Sequence, residues 1–192
     1  HTLISKLKAE REYDEIIYTS PDGQTLNQQV SNEMSMMQNI IILCGHYKGI
    51  DYRIREHLIT REISIGDYVL TGGEIPAGVI IDSVSRLVNG VIADDSTVNE
   101  SFSMGLLEYP QYTFPRDYNG DVVPDVLLCG NHKVVEKWRK KEQLKLTKKY
   151  RPDLFSKHNF TKEELKLLQE IEEENESPKW LVDALEKGKK FL

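Results

Sequence analysis

The chain lacks several features that define whole classes of protein. Its 192 residues include only two cysteines, Cys44 and Cys129, which are far apart and form no C-x-x-C motif. This low number of cysteines argues against a disulfide framework and against a zinc site. We therefore expect a cytoplasmic protein with no metal centre. No run of about 18 apolar residues is present, which argues against a membrane-spanning helix. The start of the chain shows no secretory signal.

The common phosphate-binding motifs are also missing. The sequence has no G-x-G-x-x-G after a predicted strand and no G-x-x-x-x-G-K-[ST]. Its one paired glycine, Gly72-Gly73, is followed by Glu74, whose carboxylate would repel an anion. This pattern disfavours NAD and ATP. It favours a ligand that is neutral or cationic near the loop, such as a nucleoside without phosphates.

What the chain does have is a strong separation of charge in its last third. The net charge is −6, yet residues 133–151 hold nine Lys or Arg against two Glu. Residues 161–177 then hold seven Glu against two Lys. Two solvated helix faces and a binding surface for a polyanion both explain this pattern, and charge alone does not separate them.

Apolar periodicity predicts strands that alternate with helices, which indicates an α/β fold with a parallel sheet. The four aliphatic residues 40–43 predict a strand that is buried on both faces. Residues 20–23, Ser-Pro-Asp-Gly, predict a turn. We predict helices over 3–12, 25–37 and 75–87, and strands over 15–18, 40–43, 63–70 and 125–129.

Each predicted strand ends in small or turn-forming residues. Cys-Gly follows the strands at 40–43 and 125–129, and Thr-Gly-Gly follows the strand at 63–70. Ligands of open α/β sheets bind beyond the carboxyl ends of the strands, and glycine there lets main-chain groups approach a ligand closely. The sequence therefore predicts one ligand site at this edge of the sheet.

Four motifs resemble the bacterial tRNA (guanine-N1-)methyltransferases, the TrmD family. They are "GHYKGID" (45–51), "EISIGDYVLTGGE" (62–74), "NESFSMGLLEYPQYT" (99–113) and "LLCGNHKVVEKWR" (127–139). The resemblance implies a SPOUT-type domain whose parallel sheet contains a deep trefoil knot, followed by a small all-α domain. It places the cofactor domain at 1–88, with its first strands preceding this chain, a linker at 89–105 and a helical tRNA-binding domain at 106–192.

The resemblance implies methyl transfer from S-adenosylmethionine to N1 of the guanosine immediately 3′ of the anticodon in tRNA. Such a reaction needs a base for the N1 proton and a cation for charge developing on O6. By similarity the base is Glu100, where the family generally has aspartate, and the cation is Arg86. Asp94 and Asp95 are the alternative bases.

The resemblance also identifies residues that would hold the cofactor, with the paired glycines wrapping the adenine and Pro76 starting the next helix. The implied cofactor-binding residues are Tyr18, Thr19, Ser20, Pro21, Gly45, Ser64, Ile65, Gly66, Tyr68, Leu70, Gly72, Gly73 and Pro76.

Other implied properties are a homodimer with a shared active site, dependence on magnesium and tRNA contacts from the basic segment. The implied tRNA-binding residues are Lys133, Arg139, Lys140, Lys145 and Lys148. The chain departs from the family at His46 and Lys48, where Arg and Glu are frequent, and at Phe114, where Arg is usual. Two alternatives stay open: a related RNA ribose 2′-O-methyltransferase and a non-catalytic RNA-binding module.

Overall fold

The computed structural model describes residues 1–92, 100–173 and 177–188. The chain forms two compact units, His1–Thr97 and Val98–Leu192. This division falls inside the segment 89–105 that the sequence predicts as a linker, and the domain bounds themselves remain a prediction. In the described part of the chain, no helix is both long and apolar enough to cross a membrane.

The first unit combines a parallel sheet with helices. Its elements are α1 (Thr2–Glu10), β1 (Glu15–Thr25), α2 (Gln28–Ser35), β2 (Ile40–Leu43), α3 (Tyr52–Leu58), β3 (Arg61–Ser64) and α4 (Glu74–Ser85). The second unit is mainly helical. Its elements are β4 (Asp117–Tyr118), β5 (Asp121–Val122), a 3-10 helix (Asp125–Leu128), α5 (His132–Tyr150), α6 (Pro152–Phe155), α7 (Lys162–Glu172) and α8 (Lys179–Gly188).

Strand β1 lies at the centre of the sheet, and the strand order is β2-β1-β3. Both neighbours run parallel to it, with Ile17 opposite Ile42 on one side and Arg61 on the other. Ile17 and Ile63 are fully buried and pack with residues of α2 and α4, including Met34 and Ile80. The α/β class with a parallel sheet is therefore confirmed, whereas the trefoil knot stays a prediction.

Three predicted strands differ from the structure. The strand predicted at 63–70 ends at Ser64, because Gly66 has φ +146° and the chain turns away from the sheet there. The segment 125–129 is a 3-10 helix of the second unit, so a short apolar run was mistaken for a strand. Strand β2 is half-buried along its whole length because it forms the edge of the sheet.

The predicted turn at 20–23 lies within β1 rather than after it. Thr19 and Gln24 both pair with Ile63, so the four residues between them bulge out of the ladder. The Ser20 hydroxyl accepts a hydrogen bond from the Asp22 N–H at 3.1 Å, which stabilises this bulge. Strand pairing then resumes and continues to Thr25.

Helix α5 organises the second unit. Leu144 of α5 is fully buried with Leu106 and Leu167, and these residues form the core. Thr147 is also fully buried, and its hydroxyl oxygen accepts from the Leu107 N–H at 2.9 Å. This bond joins the segment that follows the linker to the last turn of the basic helix.

Candidate functional site

A cavity of about 320 Å³ opens where β2 and β3 end and where β1 bulges out of the sheet. Its wall consists of the bulge in β1, the loop after β2 and the loop after β3, together with the first turn of α4. All thirteen residues that the resemblance assigns to the cofactor line this cavity. Their arrangement matches the general rule for ligand sites in open α/β sheets.

Gly73 explains why paired glycines stand before α4. A Cβ at this position would lie 2.8 Å from Cys44 Cα and 2.9 Å from the Gly45 nitrogen, and would collide with the Thr19 hydroxyl. The absence of a side chain lets the Gly73 N–H donate to the Gly45 carbonyl at 2.9 Å. The glycine therefore holds two cavity loops together, and its expected contact with the adenine stays a prediction.

Helix α4 begins at Glu74, just after this contact, so Pro76 lies in its first turn. The main-chain N–H of Glu74 and the ring of His46 lower the pKa of the Glu74 carboxyl, while partial burial opposes them. His46 Nε2 lies 2.6 Å from Glu74 Oε1, and His46 itself lines the cavity. The carboxylate that was expected to repel anions thus lies within hydrogen-bonding distance of a histidine ring.

Arg55 is a cavity residue that sequence reasoning did not identify. Its guanidinium binds the Glu62 carboxylate through two contacts of 2.7 and 2.6 Å, and it also donates to Asp22 at 2.7 Å. These hydrogen bonds raise the pKa of Arg55 above its usual value. Arg55 therefore fixes the bulge at 20–23 against β3. The sequence "YRIREHL" carries no signal for this role, because Asp22 is 33 residues away.

The two predicted catalytic residues belong to different units. Arg86 is the C-cap of α4, and it is half-buried. Glu100 is half-buried at the start of a turn in the second unit, where its carbonyl accepts from the Ser103 hydroxyl at 2.7 Å. Asp94 and Asp95, the alternative bases, lie outside the described residues.

Most of the predicted tRNA-binding cations already have carboxylate partners. Arg139 pairs with Glu136 and Lys145 with Glu142 along α5, while Lys140 and Lys148 pair with Glu164 and Glu172 of α7. Their nitrogen-to-oxygen distances run from 2.7 to 3.3 Å. Lys133 is exposed at the start of α5. The opposite charges of the two segments thus serve, at least partly, to join α5 to α7.

Within residues 1–92, 100–173 and 177–188, no three His, Cys, Asp or Glu side chains form a group suited to a metal ion.

Burial and the nearby Glu74 carboxylate raise the pKa of the Cys44 thiol, so this cysteine stays protonated at neutral pH.

The first unit is thus an α/β domain with a parallel sheet and a cavity at its strand ends, suited to a nucleoside-like cofactor. Residues 2–157 match the family model described as tRNA (Guanine-1)-methyltransferase TrmD. Because the match covers most of the sequence, the chain belongs to the TrmD family.

Curated relatives agree with this assignment, and each is a protein named tRNA (guanine-N(1)-)-methyltransferase. The relative from Azobacteroides pseudotrichonymphae is 59% identical over 152 residues, covering 79% of this chain and 68% of the relative. The one from Bacteroides thetaiotaomicron is 57% identical over the same extent. The one from Dictyoglomus turgidum is 55% identical over 165 residues, covering 85% of this chain and 67% of the relative.

Proposed function

We propose that this chain transfers a methyl group from S-adenosylmethionine to N1 of a guanosine in tRNA, the one immediately 3′ of the anticodon. The observation that carries the proposal is the convergence of all thirteen assigned cofactor residues on one cavity. Family membership and the names of the relatives support the reaction class.

The cavity suits S-adenosylmethionine in size and chemistry. Its volume of about 320 Å³ lies at the small end of typical ligand pockets. Tyr18, Ile65 and Leu70 offer apolar surface to an adenine ring, and the glycine-containing loops offer main-chain donors and acceptors. The cofactor would bring a methyl group on a positively charged sulfur; the lining contains the Asp22 carboxylate, which is already paired with Arg55.

The protein must also remove the guanine N1 proton and stabilise charge on O6. Arg86 would donate to O6 through its guanidinium, which stays protonated at any physiological pH. Glu100 would accept the N1 proton as the N1–C bond forms and the C–S bond breaks. Glutamate is one methylene longer than the aspartate usual in the family, so its carboxylate has to be held in a different position to reach the same proton.

The remaining parts of the proposal are the partners. The tRNA would contact the basic helix α5, and a homodimer would bring residues of both subunits to each active site. Magnesium is a family expectation, but the described residues show no carboxylate cluster that fits it. No step here is assigned to the metal.

Methyl transfer from labelled S-adenosylmethionine to an unmodified tRNA transcript tests the proposal. We expect activity in the parent chain and a loss of about 100-fold or more in Glu100→Gln, the usual scale for a general base. Glu108→Gln is the matched control, since Glu108 is also half-buried in the same segment and its carboxylate accepts only a Gln111 side-chain contact at 2.6 Å among the described residues.

The outcomes separate the alternatives. An active parent with an equally active Glu100→Gln variant would keep the enzyme and remove Glu100 as the base. Methylation found on a ribose rather than on guanine would support the 2′-O-methyltransferase. A parent that binds tRNA, ignores S-adenosylmethionine and transfers nothing would be a non-catalytic RNA-binding module.

A further inference from the structure

A second cavity, of about 250 Å³, lies within the second unit. One wall is the segment from Tyr109 to Arg116, and the others come from Val123 just after β5, the 3-10 helix and α5. Its described lining is aromatic and aliphatic and includes two arginines, Arg116 and Arg139, but no carboxylate. The resemblance assigns one lining residue, Arg139, to tRNA contacts, but it gives the cavity itself no role.

The aromatic side chains of this cavity differ in how far they pack against other residues. Tyr109 lies under the Arg139 guanidinium, with 4.7 Å from the guanidinium carbon to the ring centre. Tyr112 leans on Trp138 at a ring distance of 6.4 Å. Phe114, in contrast, is 92% exposed. Phe114 therefore lines the cavity while leaving most of its ring available for contact with another molecule.

Arg139 supplies a second, independent observation. One of its terminal nitrogens donates to Glu136 at 2.7 Å. Its Nε–H is buried, and among the described residues it has no acceptor. Because Nε is sealed from solvent, Arg139 can offer a ligand only the accessible part of its guanidinium, whose side chain is one-third exposed.

We propose that this cavity binds an unpaired nucleobase of the RNA substrate, with the base stacked on Phe114 and one of its edge acceptors bonded to a terminal N–H of the Arg139 guanidinium. The inference rests on the proposed function in that the RNA is tRNA. Aromatic rings and arginine planes are the groups by which proteins hold unstacked bases, and stacking needs no particular base. The absence of carboxylates from the described lining favours an RNA segment over a basic peptide.

The test is RNA binding by the intact chain, measured by fluorescence anisotropy with a labelled anticodon stem-loop. Phe114→Ala should weaken binding by about 5- to 150-fold, the range equivalent to one lost base–aromatic stack. Because Phe114 is exposed, its truncation leaves the core unchanged. Phe114→Trp should restore binding, since the indole stacks at least as well.

Tyr150→Ala is the matched control. Tyr150 is 60% exposed, carries a lysine over its ring at 4.8 Å and lies at the far end of α5. It should leave the affinity unchanged. A fully paired RNA duplex of the same length should bind Phe114→Ala and the parent equally. A stem-loop carrying 5-iodouridine in its loop should cross-link to the peptide that contains Phe114 in the parent.

The inference fails if Phe114→Ala binds the stem-loop as the parent does, or if Tyr150→Ala loses as much. It also fails if Phe114→Ala changes the sedimentation of the chain without changing RNA affinity, because a second copy would then be the occupant. These measurements need no methyl transfer, so they give an answer even if the proposed activity is absent.

Discussion

Replacing Gly73 with alanine gives the sharpest test of how the cofactor cavity is built. The new Cβ would stand 2.8 Å from Cys44 Cα and 2.9 Å from the Gly45 nitrogen, both of which are main-chain atoms. Main-chain atoms cannot rotate away as a side chain can. The loops after β2 and β3 must therefore separate, which breaks the 2.9 Å bond from the Gly73 N–H to the Gly45 carbonyl.

The expected destabilisation has two parts. Overpacking of a tight contact costs about 1–3 kcal/mol, and the lost hydrogen bond adds about 1 kcal/mol. Alanine also restricts the unfolded chain, which returns about 0.4–1 kcal/mol. The free energy of unfolding of the first unit should therefore fall by roughly 1–3 kcal/mol. Because the displaced loops both line the cavity, affinity for S-adenosylmethionine should fall by about tenfold or more.

Gly78→Ala is the matched control. Gly78 is exposed in the middle of α4, and a Cβ built there meets no atom within 4 Å. Alanine is favoured over glycine in a helix interior by roughly 0.5–1 kcal/mol, so this variant should be more stable than the parent. The same Gly→Ala substitution should therefore lower the free energy of unfolding at position 73 and raise it at position 78.

Urea unfolding followed by circular dichroism measures the stability of both variants, and calorimetry measures cofactor affinity. Both tryptophans, Trp138 and Trp180, lie in the second unit, so their fluorescence should report no change in either variant. The reasoning is refuted if Gly73→Ala unfolds at the parent's urea concentration and binds S-adenosylmethionine equally well. A shift of the tryptophan transition would show that the two units do not unfold independently.

Two further predictions concern the anchored carboxylates. Arg55→Lys keeps the charge but cannot hold Glu62 through two bonds and Asp22 at once, so cofactor affinity should fall about tenfold. Arg53→Lys is the control: the Arg53 side chain is 82% exposed, and this variant should leave cofactor affinity unchanged. Burial raises the pKa of Glu164, but hydrogen bonds and an ion pair outweigh it and hold the pKa at about 2. Its stabilisation, about 3 kcal/mol, is complete above the unfolded pKa near 4.5 and disappears as the pH falls towards 2. Glu164→Gln should therefore be less stable than the parent at pH 7, with urea midpoints that converge on acidification, and a constant gap would contradict the argument.

The sequence predicted well those parts of the fold that depend on local pattern. Helices α1, α2 and α4 lie within or close to the predicted segments, because their apolar residues recur at helical spacing. Strands β1 and β2 were found because they are aliphatic runs. The run at 125–129 failed because four apolar residues suit a strand and a 3-10 helix equally, and only packing against α5 decides between them.

Residues of the candidate site could be predicted from the sequence where they belong to a motif. They could not be predicted where their role depends on contacts between residues distant in sequence. Eight of the thirteen residues assigned to the cofactor lie in the quoted motifs; all thirteen line one cavity, and their role in cofactor binding stays a prediction. Arg55 was missed because its partner Asp22 is distant in sequence. The alternation at 63–70 misled because the chain leaves the sheet at Gly66, so Tyr68 and Val69 line the cavity, 56% and 85% exposed, instead of filling a core.

The pairing of α5 with α7 changes what the basic helix can contribute to RNA binding. A cation that already neutralises a carboxylate releases few RNA counterions, so it adds little to the salt dependence of binding. If all five assigned cations met phosphates, the slope of log K against log salt would include about −3.5 to −4.5 from them, whereas exposed Lys133 alone would add about −1. Lys133→Ala should therefore flatten the slope by nearly one, and Lys148→Ala, which removes a partner of Glu172, should not. If the two variants flatten the slope equally, the ion pairs open on binding, and the acidic face of α7 competes with RNA for the same cations.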